Sequence, residues 1–312
     1  MVDPLVAAVG IGWVGSTVAG PTVAYGVQLL PQTWRRASEW LLIAFALGLA
    51  VMADLLLKSN VGGVFVYVLA ALPGVVAFLA WRTLVASTLV SLAPLYFVIG
   101  DLTRGRPTYA PEVSLDGAFS LQPAWMIVYG SLYVFAFILP LLVVRQQELF
   151  RRAMRAYLTV MIVAYVGFLL YPTTAPRPDD VPGDGFSAWS LRLAYSLDPP
   201  HGCFPSLHVA YSFVSALTCY RVHRGVGVGA GLWAALIGCS TLYTKQHYVV
   251  DVIAGALSAC VAYVLFVRSY PRESLADDDR RRAPARAVGV IGIFGIVIAG
   301  FWIAYRLRMV VS

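Results

Sequence analysis

Charge is what this sequence has least of: Asp, Glu, Lys and Arg make up 12% of its 312 residues. Soluble domains carry about 25%, so roughly half of the polar coat needed by a water-soluble globule is missing. That deficit excludes a cytosolic enzyme, and an apolar and aromatic content of 59% excludes a disordered chain. Cysteine is sparse too. Cys203, Cys219, Cys239 and Cys260 form no C-x-x-C pair, and all but Cys203 fall inside apolar runs. This excludes a secreted disulfide scaffold and points to small buried hydrophobes. The start of the chain lacks a basic n-region, with Asp3 ahead of an apolar stretch longer than an h-region, so a cleaved signal peptide is not expected. No fixed-period repeat is present, and the one markedly polar stretch is 272–286.

What the sequence has in abundance is apolar length. A membrane-spanning helix needs about 20 mostly apolar residues. Runs bounded by charge or proline predict spans near 38–57, 61–81, 84–100, 123–144, 156–171, 206–222, 226–243, 249–268 and 288–305, with a glycine-loosened tenth at 5–30. The expected fold class is therefore all-α, a polytopic integral membrane protein. The net charge of +7 comes from basic residues scattered between apolar runs, a pattern of cytoplasmic loops rather than of nucleic-acid binding. The connections with Arg35, Arg36, Arg82, 145–155, Arg221, Arg224 and 268–286 share one side and hold 15 of the 23 basic residues. By the positive-inside rule this side is cytoplasmic. The connections 101–122, 172–205 and 244–248 then face outward, and Arg306 and Arg308 fall on that outer side, against the trend.

Two polar islands stand on the outer side. In Gly202-Cys203-Phe204-Pro205-Ser206-Leu207-His208 the chain enters a span, and Pro205 suits a first helical turn, leaving Ser206 and His208 by free N–H groups that attract an anion. In the second island, 240–251, His247 and Asp251 are four residues apart, which on a helix puts them on one face. A carboxylate so placed fixes the ring's tautomer, making the histidine a nucleophile, a general base or a metal ligand. Lys245 adds positive charge. The alternative is an aspartate that merely caps the polar end of a span.

Phe204-Pro205-Ser206-Leu207-His208, together with the stretch from Ser240 to Gly255, which holds Thr244-Lys245-Gln246-His247-Tyr248-Val249-Val250-Asp251, resembles the second and third motifs of the type 2 phosphatidic acid phosphatase superfamily, P-S-G-H and S-R-x5-H-x3-D. The P-S-L-H form is most similar to the branch of inositol phosphorylceramide synthases and their bacterial relatives. Of the first motif, K-x6-R-P, only Arg177-Pro178 is present: Leu170 stands at the lysine position, and Thr241 stands at the arginine position of the third motif. The resemblance implies a six-helix core over 123–268, preceded by three or four transmembrane helices in 1–122 and followed by a basic loop and one helix in 269–312. It also implies that His247 attacks phosphorus to give a phosphohistidine, that Asp251 holds its ring and that His208 protonates the leaving oxygen. Arg177, Ser206 and Lys245 are expected to bind the phosphate. No metal or cofactor is implied, the substrate is a phospholipid or lipid phosphate in a membrane, and the oligomeric state is left open.

The expected activity is thus a lipid phosphatase or phosphotransferase facing away from the cytoplasm, one that moves a head group of the inositol phosphate type between lipids. A plain lipid-phosphate or polyprenyl-phosphate phosphatase is one rival. A proton-coupled transporter using Asp54, Asp251 and the histidines is another. Residues 201, 223, 192, 179, 180 and 184 read as solvated loop positions, and Tyr243 and Tyr248 as interfacial aromatics that flank the second island.

Overall fold

The structure, a computed structural model, describes residues 105–198 and 200–311 together with 89, 92 and 95–103. The chain divides into two compact units, Met1–Leu102 and Thr103–Ser312. In the first unit a helix at Leu95–Leu102 is described. The spans expected at 5–30, 38–57 and 61–81, most of that at 84–100, and Asp54 lie outside the described residues.

The second unit is helical, and among the described residues β structure is limited to two isolated bridges, Tyr109 with Thr173 and Thr174 with His201. Its helices are α1 (Pro123–Val143), α2 (Gln147–Leu170), α3 (Phe186–Leu197), α4 (Leu207–Val222), α5 (Arg224–Tyr243), α6 (Val249–Val267) and α7 (Asp277–Val311). Five of them, α1, α2, α5, α6 and α7, are long and apolar enough to cross a membrane. With no water in a bilayer core, a helix is the local solution that satisfies every backbone group.

Two boundaries differ from the expected ones. The span at 156–171 starts nine residues earlier, because Glu148 pairs with Arg151 (3.2 Å) and Arg152 (3.1 Å) one turn on, so a charged stretch continues the helix. Likewise the polar stretch before 288 is helical from Asp277. Asp277, Asp278 and Asp279 occupy its first turn, where the helix dipole favours acids, and Arg281 and Arg282 pair back to Asp278. The short helix α3 lies inside the outer connection 172–205, for which the sequence predicts no helix.

Helix α4 is the centre of the unit, packed against α1, α2, α5 and α6. At 16 residues it is shorter than its neighbours, and Ser212, Ser215 and Thr218 on it are fully buried. Their hydroxyls are satisfied by backbone carbonyls: Ser212 donates to His208 (2.8 Å), Thr218 to Val214 (2.7 Å) and Ser215 across to Phe135 on α1 (3.1 Å). Such bonds let small polar residues line helix contacts in an apolar medium.

The two ends of the bundle differ in chemistry. At one end Arg152 reaches Ser269 (3.0 Å), Arg221 donates to the carbonyl of Tyr270, and Arg272 donates to that of Tyr220 (2.9 Å). The opposite end carries the connections 171–206 and 244–248. Tyr305, near the end of α7, donates to the carbonyl of Asp184 (2.8 Å) and packs on Phe186 and Trp189. The end of α7 therefore lies with those connections, as the expected order of spans requires.

Candidate active site

His247 lies in the connection between α5 and α6. Helix α5 closes with the amide of Gln246 on the carbonyl of Thr241 (2.9 Å) and that of Lys245 on Leu242 (3.1 Å), the paired bonds of a Schellman motif. The position after the cap in this motif is left-handed and favours glycine. Here it is Lys245, at φ 52°, a conformation that costs an L-residue about 1–2 kcal/mol. Lys245 is half-buried as a residue, and its ammonium makes no hydrogen bond or ion pair among the described residues.

Helix α6 then begins at Val249, with Tyr248 as its N-cap. His247 therefore precedes the helix, and the four-residue spacing to Asp251 is not the helical face expected from sequence. The two meet through capping. Oδ2 of Asp251 accepts the amide of Tyr248 (2.9 Å), which turns the carboxylate back so that the same oxygen lies 3.4 Å from Nδ1 of His247. Asp251 is fully buried, and its Oδ1 has no hydrogen-bond partner among the described residues. A carboxylate so placed favours any positive charge that develops on the adjacent ring.

His208 comes from the second residue of α4. Ser206 is the N-cap of that helix, with Oγ accepting from the amide of Val209 (3.4 Å). Its own N–H donates to the carbonyl of Asp251 (3.1 Å), which docks the start of α4 on the first turn of α6. That docking needs glycine. A Cβ on Gly255 would lie 2.5 Å from the carbonyl oxygen of Ser206, and one on Gly167 would lie 2.6 Å from that of Phe204. Thr173 Oγ1 accepts the amides of Cys203 (2.9 Å) and Phe204 (3.1 Å) from behind. So held, Nδ1 of His208 faces Nε2 of His247 at 3.0 Å.

The guanidinium donors of Arg177 are taken up by protein acceptors. Nε and Nη2 of Arg177 donate to Oε1 of Gln246, Nη1 donates to the carbonyls of Asp198 (2.6 Å) and Tyr195 (3.3 Å), and Nη2 lies 3.5 Å from the Asp198 carboxylate. The guanidinium also stacks on the Tyr195 ring, 4.7 Å from its centroid. Burial pushes the Tyr195 phenol up to about 12, with Arg177 opposing, so it stays a donor at neutral pH, here to the carbonyl of Thr244 (2.6 Å). Ser206 is fully buried as a cap.

Sequence reasoning missed three contributors. Tyr129 of α1, buried, places its hydroxyl 3.1 Å from Nε2 of His208. Gln246 stands between Arg177 and His247. Asp116, in a 3₁₀ turn at Ser114–Ala118, accepts the amide of Val249 (2.8 Å) and that of Val113 (2.8 Å). Asp116 thus caps α6 from 133 residues away, a role Tyr248 at the N-cap cannot fill. Downstream of it, Gln122 donates to the carbonyl of Tyr243 (2.9 Å) and Trp125 stacks on the Tyr243 ring, so one segment braces both ends of the His247 connection. Only an acid in a polar connection was visible in sequence.

The remaining candidates are structural. His223 caps α5 by accepting the amide of Val226 (3.2 Å). His201 lies against Thr174 at 3.5 Å, and Arg192 donates to the carbonyls of Val181 and Gly183, each at 2.8 Å. Among the described residues no group of three or more His, Cys, Asp or Glu side chains is arranged to hold a metal ion.

No solved structure matches the chain. A PA-phosphatase related-family protein of Dictyostelium discoideum is 26% identical over 122 residues, covering 36% of this chain. The chain spans 22% of that relative's length. Residues 112–265, just under half of the chain, match the family model of the PAP2 superfamily, and the segment so matched contains His208, His247, Asp251 and every residue that holds them.

Proposed function

We propose that this protein is a membrane-embedded lipid phosphotransferase or phosphatase that works through a phosphohistidine at His247. The family match supports a lipid phosphatase-type enzyme. The observation that carries the finer reading is the line Asp251, His247, His208, in which Nε2 of a buried, carboxylate-backed imidazole faces the ring of a second histidine at 3.0 Å. In the first step the lone pair of His247 Nε2 forms a bond to phosphorus and the ester P–O bond breaks. The departing oxygen takes a proton from His208. In the second step the acceptor gives its proton to His208, its oxygen bonds to phosphorus, and the N–P pair returns to His247.

Charge builds on the equatorial oxygens during both steps. Lys245 and the amides of Leu207 and His208 in the first turn of α4 are the donors we assign to it. Direct contact from Arg177 requires a phosphate oxygen to displace Oε1 of Gln246, a neutral acceptor exchanged for a charged one. The reaction we propose needs no metal. We place the site on the extracytoplasmic side, since the arginine-rich end of the bundle is the opposite one, and we keep 123–268 as the catalytic core.

Head-group transfer between lipids, of the inositol phosphate kind, is the acceptor chemistry we favour, on the strength of the Pro205-Ser206-Leu207-His208 and Gln246-His247-Tyr248 forms. Purified protein given labelled phosphatidylinositol and phosphatidic acid, with and without ceramide or diacylglycerol, should yield a new phospholipid. Inositol phosphate from phosphatidylinositol, or free phosphate from phosphatidic acid, with no new phospholipid would establish hydrolysis and overturn transfer.

Lys245 gives a second test, because stability and activity should move in opposite directions. Lys245→Gly relieves the left-handed backbone, which should stabilise the fold by about 0.5–1 kcal/mol in thermal unfolding. Turnover should nonetheless fall about 10- to 100-fold as a phosphate contact is lost. Unchanged turnover would remove Lys245 from the site.

A further inference from the structure

The hydroxyl of Tyr129 is not used by the reaction as written above, yet among the described residues it makes the one polar contact of the His208 ring besides that to His247. Tyr129 is 2% exposed, and its oxygen lies 3.1 Å from Nε2 of His208, the rings tilted at 50°. Its place is set independently of that contact. Two residues onward, Ser131 Oγ accepts from Trp233 Nε1 of α5 (2.9 Å), and Trp125, four residues before Tyr129, stacks on Tyr243 at the end of α5. Helix α1 is therefore pinned to the helix that leads into His247, and it carries the phenol to the far side of His208.

We propose that Tyr129 is a positioning residue that selects which nitrogen of His208 exchanges protons. This rests on the reading of His208 as acid and base. Nδ1 is the nitrogen that faces His247 Nε2, so it alone reaches an oxygen on phosphorus bound there. For Nδ1 to deliver a proton and later recover one, Nε2 must keep its hydrogen throughout. The Tyr129 oxygen accepts that Nε2–H, favouring this tautomer and fixing the ring plane. The balance closes: protonated His208 loses the Nδ1 proton to the leaving oxygen and becomes the neutral Nε2–H form, then takes the acceptor's proton at Nδ1 and returns to its starting state. Tyr129 accepts a hydrogen bond and transfers nothing. Without it the neutral ring is free to place its hydrogen on Nδ1, where it can serve neither step.

The test compares substrates rather than total activity. Tyr129→Phe keeps the ring and its packing. Turnover of a lipid phosphate ester, whose alkoxide leaves poorly without a proton, should fall about 10- to 30-fold, with KM changed less than about twofold. The pre-steady-state release of 4-nitrophenolate from 4-nitrophenyl phosphate, a first step whose leaving group needs no proton, should change in rate by less than about threefold, and that release also reports a folded protein. Equal losses on both substrates would indicate a packing role and overturn the proposal, as would no loss on either. His208→Ala is the control for the reading beneath it: it should show a larger loss on the lipid ester than on the aryl phosphate. If His208→Ala shows that contrast and Tyr129→Phe does not, Tyr129 is overturned alone. If His208→Ala shows none, the acid role itself fails.

Discussion

Replacing His247 with alanine should lower turnover of the lipid substrate by about ten-thousand-fold or more, while the protein remains folded in detergent with an unchanged unfolding midpoint. The size follows from what is removed. Without the ring there is no nucleophile to divide the displacement into two steps, and the groups around it act as a unit, so their residual contribution is small. Stability should barely change because His247 lies before the N-cap of α6 rather than inside a helix, and its backbone bond to Thr241 survives the substitution. Asp251 loses the ring at 3.4 Å but keeps the Tyr248 amide. Purified His247→Ala assayed beside wild type decides the matter: turnover within tenfold of wild type would exclude the nucleophile role.

The second large effect comes from a residue that touches no substrate. Gly255→Ala places a methyl group 2.5 Å from the carbonyl oxygen of Ser206 and 3.2 Å from Val209 Cβ. A backbone oxygen cannot rotate out of the way as a side chain would, so α4 and α6 must separate. The same contact carries the Ser206 to Asp251 bond, and the two catalytic histidines we assign sit on these two helix starts. A displacement near 1 Å costs about 100-fold when it misaligns reacting groups, and overpacking costs about 1–3 kcal/mol. We expect kcat to fall about 30- to 100-fold and thermal stability to drop by that amount. Gly231→Ala is the matched control, since a Cβ there meets nothing within 4 Å. Turnover of the two variants within threefold of each other would contradict the docking argument.

Much of this arrangement was legible in the sequence, and what was not has physical causes. The helical, membrane-spanning character followed from apolar length alone, and five described helices meet that standard. The pairing of His247 with Asp251 was suggested by their spacing, but the reason for it was not, since a capping carboxylate and a helical face produce the same interval of four. Arg177 was visible as a charge. That its donors are taken by Gln246, Tyr195 and Asp198 depends on α3 and on the turn at 198, which fold back over the His247 connection through contacts distant in sequence. Asp116 and Tyr129 were invisible for a related reason. An acid in a polar connection and a tyrosine at the end of a span are both common for bland reasons, and only the tertiary structure brings one to the Val249 amide and the other to His208. The early start of α2 is not legible in the apolar pattern because charge ends an apolar run without ending a helix, and Glu148 with Arg151 and Arg152 extends the helix beyond the apolar part.

The covalent intermediate is the central claim, and trapping it is the most direct measurement. Purified protein mixed with a lipid substrate carrying labelled phosphate, quenched in alkali within a fraction of one turnover and digested, should yield a labelled peptide containing His247. The label should survive base and be released by acid, as a phosphoramidate is. Labelled peptide should be absent from His247→Ala. Label on any other residue, or rapid product formation in a single turnover with no protein-bound phosphate at any time, would contradict the account.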